Sequence, residues 1–278
     1  MIRVKNIFRY PVKSMQGQAI DSAMLTPDGI GGDRQFVVVD TRGKCVTART
    51  EPKLLTLKAF KNSLGLRLES ADGQTCSAFL PDERASLVPV AIWDDRAVGA
   101  DMGDAIATWL SNIVQKPVRL LAITSKSNRA GVFPGTPISF ADGAPLLLFS
   151  EASLSDINAR LETPMSVRNF RPNLLLEGVE EAFAEDTWAR IKIGDIYMDV
   201  SWGCSRCVLT TLDPETGVKH PQQEPLRTLT KYRQGPDKRV YFGQNVIPLN
   251  GGVITVGDSV EIVGVKDNPT YLEDVRTP

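Results

Sequence analysis

Apolar residues fall into short runs through the first half of the chain. Arg3 to Tyr10, Gln35 to Asp40, Cys45 to Arg49, Leu54 to Phe60 and Leu64 to Glu69 are rich in Val, Ile, Leu and Phe and predict strands. Turn signals at Pro27-Asp28-Gly29, Thr41-Arg42-Gly43 and Ala71-Asp72-Gly73 separate them. Leu66 and Leu68 alternate with Arg67 and Glu69, the pattern of a strand with one wet face. Many short strands at this spacing predict a barrel-like β unit.

From Gly103 to Gln115 the period changes. Ile106, Trp109, Leu110, Ile113 and Val114 recur as one face of an amphipathic helix, best suited to core packing. A strand at Pro117 to Ala122 follows, then a polar stretch, Thr124 to Gly131, where we place the domain division. The expectation is a first unit over residues 1–122, a second over 123–265, and a polar tail or linker over 266–278. The second unit opens with the apolar run Pro145 to Phe149. Ser150 then caps a helix whose face is Leu154, Ile157 and Leu161. Asn173 to Glu177 reads as a strand, Ile191/Ile193 and Ile196/Met198/Val200 as a pair joined at Gly194-Asp195, and a second pair flanks Gly257-Asp258. Pro225 to Arg233 suits one short helix. The fold class is β-rich α+β, with a few helices outside the strands.

Composition narrows the functions available. The 278 residues include 32 Lys and Arg against 33 Asp and Glu, so net charge offers no attraction to nucleic acid or an anionic membrane surface. No apolar run approaches a membrane span, and the start lacks the apolar core of a signal peptide. Four cysteines are too few for a disulfide scaffold in a chain of this length. The expected compartment is the reducing cytoplasm. The single histidine, His220, sits in a polar run and suits the surface, which excludes two-His metal sites. Phosphate-loop, dinucleotide-binding and nucleophile-elbow motifs are missing.

Two kinds of feature remain. Cys204-Ser205-Arg206-Cys207 places a fixed positive charge between two thiols, and a thiolate binds soft metals. By spacing alone it is a redox pair, a zinc half-site or core filler. A zinc site needs a second pair, and Cys45 and Cys76 stand apart as small apolar residues. A thioredoxin-like pair needs a helix start, whereas this one follows an alternating strand. The second kind is anion-binding: Val12-Lys13-Ser14, Gly31-Gly32-Asp33-Arg34 and Asn169-Phe170-Arg171-Pro172-Asn173 combine glycines with Lys, Arg and Ser donors. Singly each suits a turn with a solvated charge; together with a thiolate they describe a pocket for an anionic cofactor beside a soft metal.

Those segments, with Thr47-Ala48-Arg49-Thr50-Glu51-Pro52, Thr210-Thr211-Leu212-Asp213-Pro214-Glu215-Thr216-Gly217 and Phe242-Gly243-Gln244, resemble the MOSC family, the molybdenum cofactor sulfurase C-terminal domain proteins. The branch most similar is that of the mitochondrial amidoxime-reducing component and bacterial YcbX-like reductases. The likeness runs in order from about Arg3 to Val263. It implies an N-terminal β-barrel-like domain, a MOSC β-barrel domain and a molybdenum–molybdopterin cofactor between them. It makes Cys207 the metal ligand and Lys13, Ser14, Arg34, Asp142, Arg171, Asn173, Ser205 and Arg206 the cofactor contacts. Asp213 is either a proton donor at the metal's open position or a turn residue.

The implied activity is reduction of N-hydroxylated small molecules such as amidoximes and hydroxylamino-purines. The alternatives are a sulfur or cofactor carrier using a cysteine persulfide without reductase turnover, and a cofactor-free scaffold that binds a partner protein. At Ala141-Asp142-Gly143-Ala144-Pro145 eukaryotic relatives carry hydroxyl side chains, where Gly143 and Ala144 here offer only backbone N–H groups. No cysteine follows Cys207 to build the plant-type ferredoxin domain found in many YcbX-like proteins. Electrons are therefore expected from an external flavin reductase or an iron–sulfur or haem protein, unless the tail is a linker to such a domain.

Overall fold

A computed structural model of the protein describes residues 1–127, 129 and 138–269. It is mostly β, as the hydrophobic pattern predicts. The largest sheet has eight strands, in the order Val260–Val265, Trp188–Ile193, Ile196–Ser205, Tyr241–Pro248, Leu146–Ser150, Leu174–Glu177, Arg3–Arg9 and Gln18–Ile20. A four-stranded sheet runs Phe36–Asp40, Val118–Ala122, Asp95–Asp101, Leu87–Ile92, and two three-stranded sheets complete the fold.

Strand pairing crosses the expected boundary near residue 122. The first strand, Arg3–Arg9, pairs antiparallel with Leu174–Glu177, and Ser22–Thr26 pairs with Gly252–Thr255. The chain therefore begins in the second half's sheet and leaves it at Tyr10, carrying the Lys13 segment from one core to the next. One core, around Phe36, Leu54, Leu66, Ile106 and Leu120, belongs to the first half. A second joins Val4, Ile7 and Leu25 to Leu148, Leu174, Met198 and Val246.

The helix predicted over 103–115 spans Asp104–Val114 and buries Ile106, Leu110 and Val114. Ser150 caps Glu151–Ala159 through its hydroxyl, which accepts from Ser153 N at 3.1 Å. Three readings change. Cys45 to Arg49 forms only isolated bridges, Val39 to Cys45 and Lys44 to Ala91, because the chain turns where the Thr47 carbonyl accepts from Thr50 and Glu51 N–H. Leu54 to Phe60 divides into a 3-10 turn, Pro52–Thr56, and the strand Lys58–Lys61. Pro52 presets the helical turn, and adjacent Leu54 and Leu55 are both buried, as one-sided strand alternation does not allow. The strands flanking Gly257-Asp258 enter different sheets, since Gly257 N donates to Val4 O and Val4 N to Asp258 O, tying that turn to the first strand.

The polar stretch after Ile123 is described in part: Ser127 Oγ donates to Val98 O at 2.7 Å, while Asn128, Ala130 and Gly131 lie outside the described residues. The tail begins anchored, with Lys266 Nζ donating to Val200 O at 2.9 Å and Ser201 O at 3.2 Å; residues 270–278 lie outside the described residues.

Behind the eight-stranded sheet lies a buried polar network. Glu185 accepts from Ser150 N, Ser150 Oγ and Ser153 Oγ, and Asp186 accepts from Arg233 and Gln244. Burial pushes Asp186 up to about 6 despite the pull of Arg233. A carboxyl whose folded-state pKa is raised contributes stability below its unfolded value of 3.8 and loses it as pH rises through about 6. The unfolding free energy of the wild type, measured relative to Asp186→Asn, should fall by about 3 kcal/mol between roughly pH 4 and pH 7. A difference independent of pH would refute this assignment.

Candidate functional site

Three loops converge where the first strand ends. At the first, Tyr10 is almost fully buried, and two guanidinium groups pack on its ring: Arg34 is 4.5 Å and Arg171 4.3 Å from its centroid. The π-system attracts both cations. Asp33 fixes this corner, because its Oδ1 accepts from Tyr10 N at 2.7 Å and its Oδ2 accepts from Arg34. Burial lowers the pKa of Arg34, but Asp33 and Tyr10 outweigh it and the net shift is upward.

Arg171 arrives on a different device. Ser166 and Asn169 form a capping box that starts the short helix Val167–Phe170, and Arg171 ends it in the left-handed region at φ 56°. Its guanidinium donates to Met15 O at 2.7 Å, and among the described residues no carboxylate pairs with it. Burial, reinforced by Arg34, lowers it to about 10, so it stays charged at neutral pH. Ser14 and Arg34 also have positive φ, 71° and 46°. Three non-glycine residues in this conformation at one place are a concentration of backbone strain of the kind that collects at functional sites.

Asn173 supports the corner from beneath. It is 1% exposed; its Oδ1 accepts from Arg34 and from Leu147 N, both at 3.2 Å, and its Nδ2 donates to Phe8 O at 3.1 Å. Every polar atom of its amide is engaged with the protein, so Asn173 positions Arg34 and does not itself face the recess.

The cysteine loop forms the opposite side. Cys204 and Ser205 end the strand Ile196–Ser205, and Cys207 precedes the 3-10 turn Val208–Thr211. Asn169 Nδ2 donates to Thr210 O and Leu212 O, which ties this turn to the arginine loop. Arg206 lies between: it donates to Cys204 Sγ at 3.1 Å and Phe170 O at 2.6 Å, while its buried Nε has no partner. Below it Phe170 stacks on Phe242, with centroids 4.2 Å apart, and Phe149 packs edge-on. Burial raises the Cys204 thiol despite Arg206. Cys207 and Ser205 keep access to solvent, half-buried and exposed respectively.

Lys13 is buried and donates to Phe140 O at 2.9 Å and Asp142 Oδ1 at 2.5 Å. The Asp142 side chain is 71% exposed, yet burial is the largest influence on its ionisation. A carboxylate wetted and surrounded at once lies on the wall of an open recess. Burial raises its pKa, but Lys13, with Trp93 and Arg34, holds it well below the usual range. Asp142 also raises the Cys204 thiol, a smaller influence than burial or Arg206.

The remaining predicted residue, Asp213, is exposed and bound into its own turn, where Oδ1 accepts from Glu215 N, Thr216 N and Thr216 Oγ1. Partial desolvation raises its pKa, but these donors prevail and lower it. Ionised and internally bonded, it has the part of a turn residue and holds no proton to donate near neutral pH. Sequence reasoning passed over Tyr10, Asp33 and Trp93. The available signals were an acid beside Arg34 and a tryptophan in a turn dipeptide, Trp93-Asp94.

Electrostatically the recess is unbalanced. Among the described residues Lys13 pairs with Asp142 and Arg34 with Asp33, while Arg171 and Arg206 have no carboxylate, so positive charge is in excess. Together with the unpartnered buried Arg206 Nε and Tyr10 hydroxyl, this suits an anionic, hydrogen-bonding ligand. Burying Arg171 without a carboxylate opposes stability. Arg171→Met should therefore unfold with stability equal to the wild type or greater by up to about 2 kcal/mol, while losing the rise in melting temperature that pyrophosphate gives the wild type. A large destabilisation would make Arg171 a structural residue instead.

The family model for the MOSC N-terminal beta barrel domain matches residues 1–117, and that for the MOSC domain residues 135–261. Mitochondrial amidoxime-reducing component 1 of Homo sapiens is 34% identical, over 94% of this chain and 83% of its own. Mitochondrial amidoxime reducing component 2 of Homo sapiens is 33% identical, over 92% of this chain and 82% of its own. The chain belongs to the MOSC family, with the N-terminal barrel and MOSC domains that it shares with the amidoxime-reducing components.

Proposed function

We propose that this protein is a molybdenum cofactor-dependent reductase of N-hydroxylated compounds, amidoximes among them. The observation that carries the reading is a pair of arginines without carboxylates among the described residues, the buried Arg171 and the half-buried Arg206 with its buried, unpartnered Nε, set on two loops that Asn169 joins beside a solvent-accessible cysteine. The relatives' names supply the reaction class.

The residues present fit a molybdopterin group. Cations at Lys13, Arg34, Arg171 and Arg206 suit an anionic organic ligand, and a nearby thiol suits a soft metal carried by it. Cys207 is the ligand we assign from the resemblance of Cys204-Ser205-Arg206-Cys207 to the family motif, and its half-buried thiol before the turn Val208–Thr211 is compatible with that role. When bound, the group supplies the two-electron chemistry that cleaves an N–O bond.

The protein supplies binding and orientation. Lys13, Arg34 and Arg171 neutralise the anionic part, Arg206 offers Nε–H beside the metal ligand, and Ser14 and Ser205 add hydroxyls at the margins. Asn173 acts through Arg34, and the Phe170–Phe242 stack excludes water under Arg206. Converting an amidoxime to an amidine and water consumes two electrons and two protons. Asp142 and Asp213 are both held in the ionised form, so the protons enter from solvent in the open recess. Electrons come from a separate flavin, iron–sulfur or haem protein, and "component" in the relatives' names supports a multi-protein system. Four free cysteines suit a reducing compartment such as the cytoplasm.

The test is to purify the cofactor-loaded protein and measure molybdenum by elemental analysis, pterin by fluorescence and amidoxime reduction. Cys207→Ala should lose reduction and most of its molybdenum while remaining folded; full retention of both would sink the ligand assignment. Sulfide release on mild reduction, without any molybdenum-dependent turnover, would favour the carrier role instead.

A further inference from the structure

Trp93 and Arg49 have no part in the scheme above, although both stand at the recess. Ile92 pairs with Asp95, so Trp93 and Asp94 form the two-residue turn of a hairpin between Leu87–Ile92 and Asp95–Asp101. Glycine or asparagine is the usual choice where such a turn needs positive φ. Here the largest side chain occupies it, at φ 55°, and bulky residues in that region are uncommon. The turn aims the indole inward: Trp93 Nε1 donates to Asp142 Oδ1 at 2.9 Å, the same oxygen that accepts from Lys13.

Arg49 stacks on this ring with its guanidinium carbon 3.7 Å from the centroid. Among the described residues no carboxylate pairs with Arg49, so the indole is its chief partner. One face of the ring is thus taken, yet Trp93 remains 49% exposed. A large apolar ring held by its N–H and backed by a cation on one face stays half-exposed beside the Asp142 carboxylate. Burying that ring would stabilise the molecule, and the fold forgoes this. The cation behind the indole also polarises its π-system.

We propose that the face of Trp93 away from Arg49 is a stacking wall for the flat aromatic or heteroaromatic group of the substrate, which makes Trp93 a specificity-determining residue. Arg49 backs the ring, and Asp142 fixes its tilt through the indole N–H. Aliphatic N-hydroxylated compounds, with no ring to stack, gain nothing from this wall. The inference rests on the reductase reading for the identity of the substrate, and on geometry for the wall itself.

The experiment measures binding and turnover separately, with benzamidoxime and acetamidoxime as probes of the cofactor-loaded protein. Trp93→Gly removes the ring and also relieves the left-handed backbone, so it should fold at least as well as the wild type, as a thermal melt would verify. Calorimetric titration should show benzamidoxime bound about tenfold more weakly by Trp93→Gly, from the usual strength of ring stacking on an aromatic side chain. Acetamidoxime should bind equally to both. Trp93→Phe, which keeps a face but not the N–H, should recover most of the preference. Equal loss for both probes, no loss for benzamidoxime, or no binding of benzamidoxime by the wild type would each overturn the wall. Stacking-dependent binding without reduction of either compound would support the wall and overturn the reductase reading.

Discussion

The site depends on one buried contact, the Tyr10 ring against which Arg34 and Arg171 both pack. Two guanidinium groups from loops far apart in sequence would repel each other, and the shared attraction to one π-system offsets part of that repulsion. Asp33 grips Arg34 and the Tyr10 backbone, while Asn173 braces Arg34 from the foot of the strand Leu174–Glu177 in the eight-stranded sheet. Gly17 leaves room for the ring, since a Cβ there would lie 2.3 Å from a Tyr10 ring carbon. The stack also lies where the first strand leaves the large sheet, so the join between the two halves and the anion-binding corner are one structure.

The second half is shaped to the same end. A capping box turns Arg171 into the recess, and Asn169, part of that box, also carries the carbonyls behind Cys207. Aromatic packing of Phe149, Phe170 and Phe242 makes a rigid floor under Arg206. Elsewhere in the interior the buried Asp186 pairs with Arg233, while Glu185 beside it is met by the Ser150 and Ser153 hydroxyls. Stability withheld at Arg171 and at the strained Ser14, Arg34 and Trp93 is consistent with a molecule that gives up local stability for binding.

Several elements were legible in the sequence because their signals are local. The period of Ile106, Leu110 and Val114 specified a helix, the hydroxyl of Ser150 marked a cap, and alternating apolar residues marked the hairpin at Gly194-Asp195. Arg34, Arg171 and Lys13 were legible as cations beside glycines and turns. Where the reading failed, a distant partner decided. Leu54 and Leu55 are adjacent and both buried because a core encloses them, and the Gly257 turn is bound to the first strand by backbone groups that carry no sequence signature. Asp213 had two readings, and donors within its own turn chose the structural one.

The sequence by itself determined the fold class, the short-strand architecture and the chemical types available: two thiols around an arginine, and cations placed for an anion. Those properties depend on side-chain chemistry and local periodicity. Only the tertiary structure decided which cations lack partners, that Asn173 acts through Arg34, and that Trp93 and Arg49 meet at the recess. Whether a charge is free depends on what lies across from it, and long-range strand pairing sets that distance.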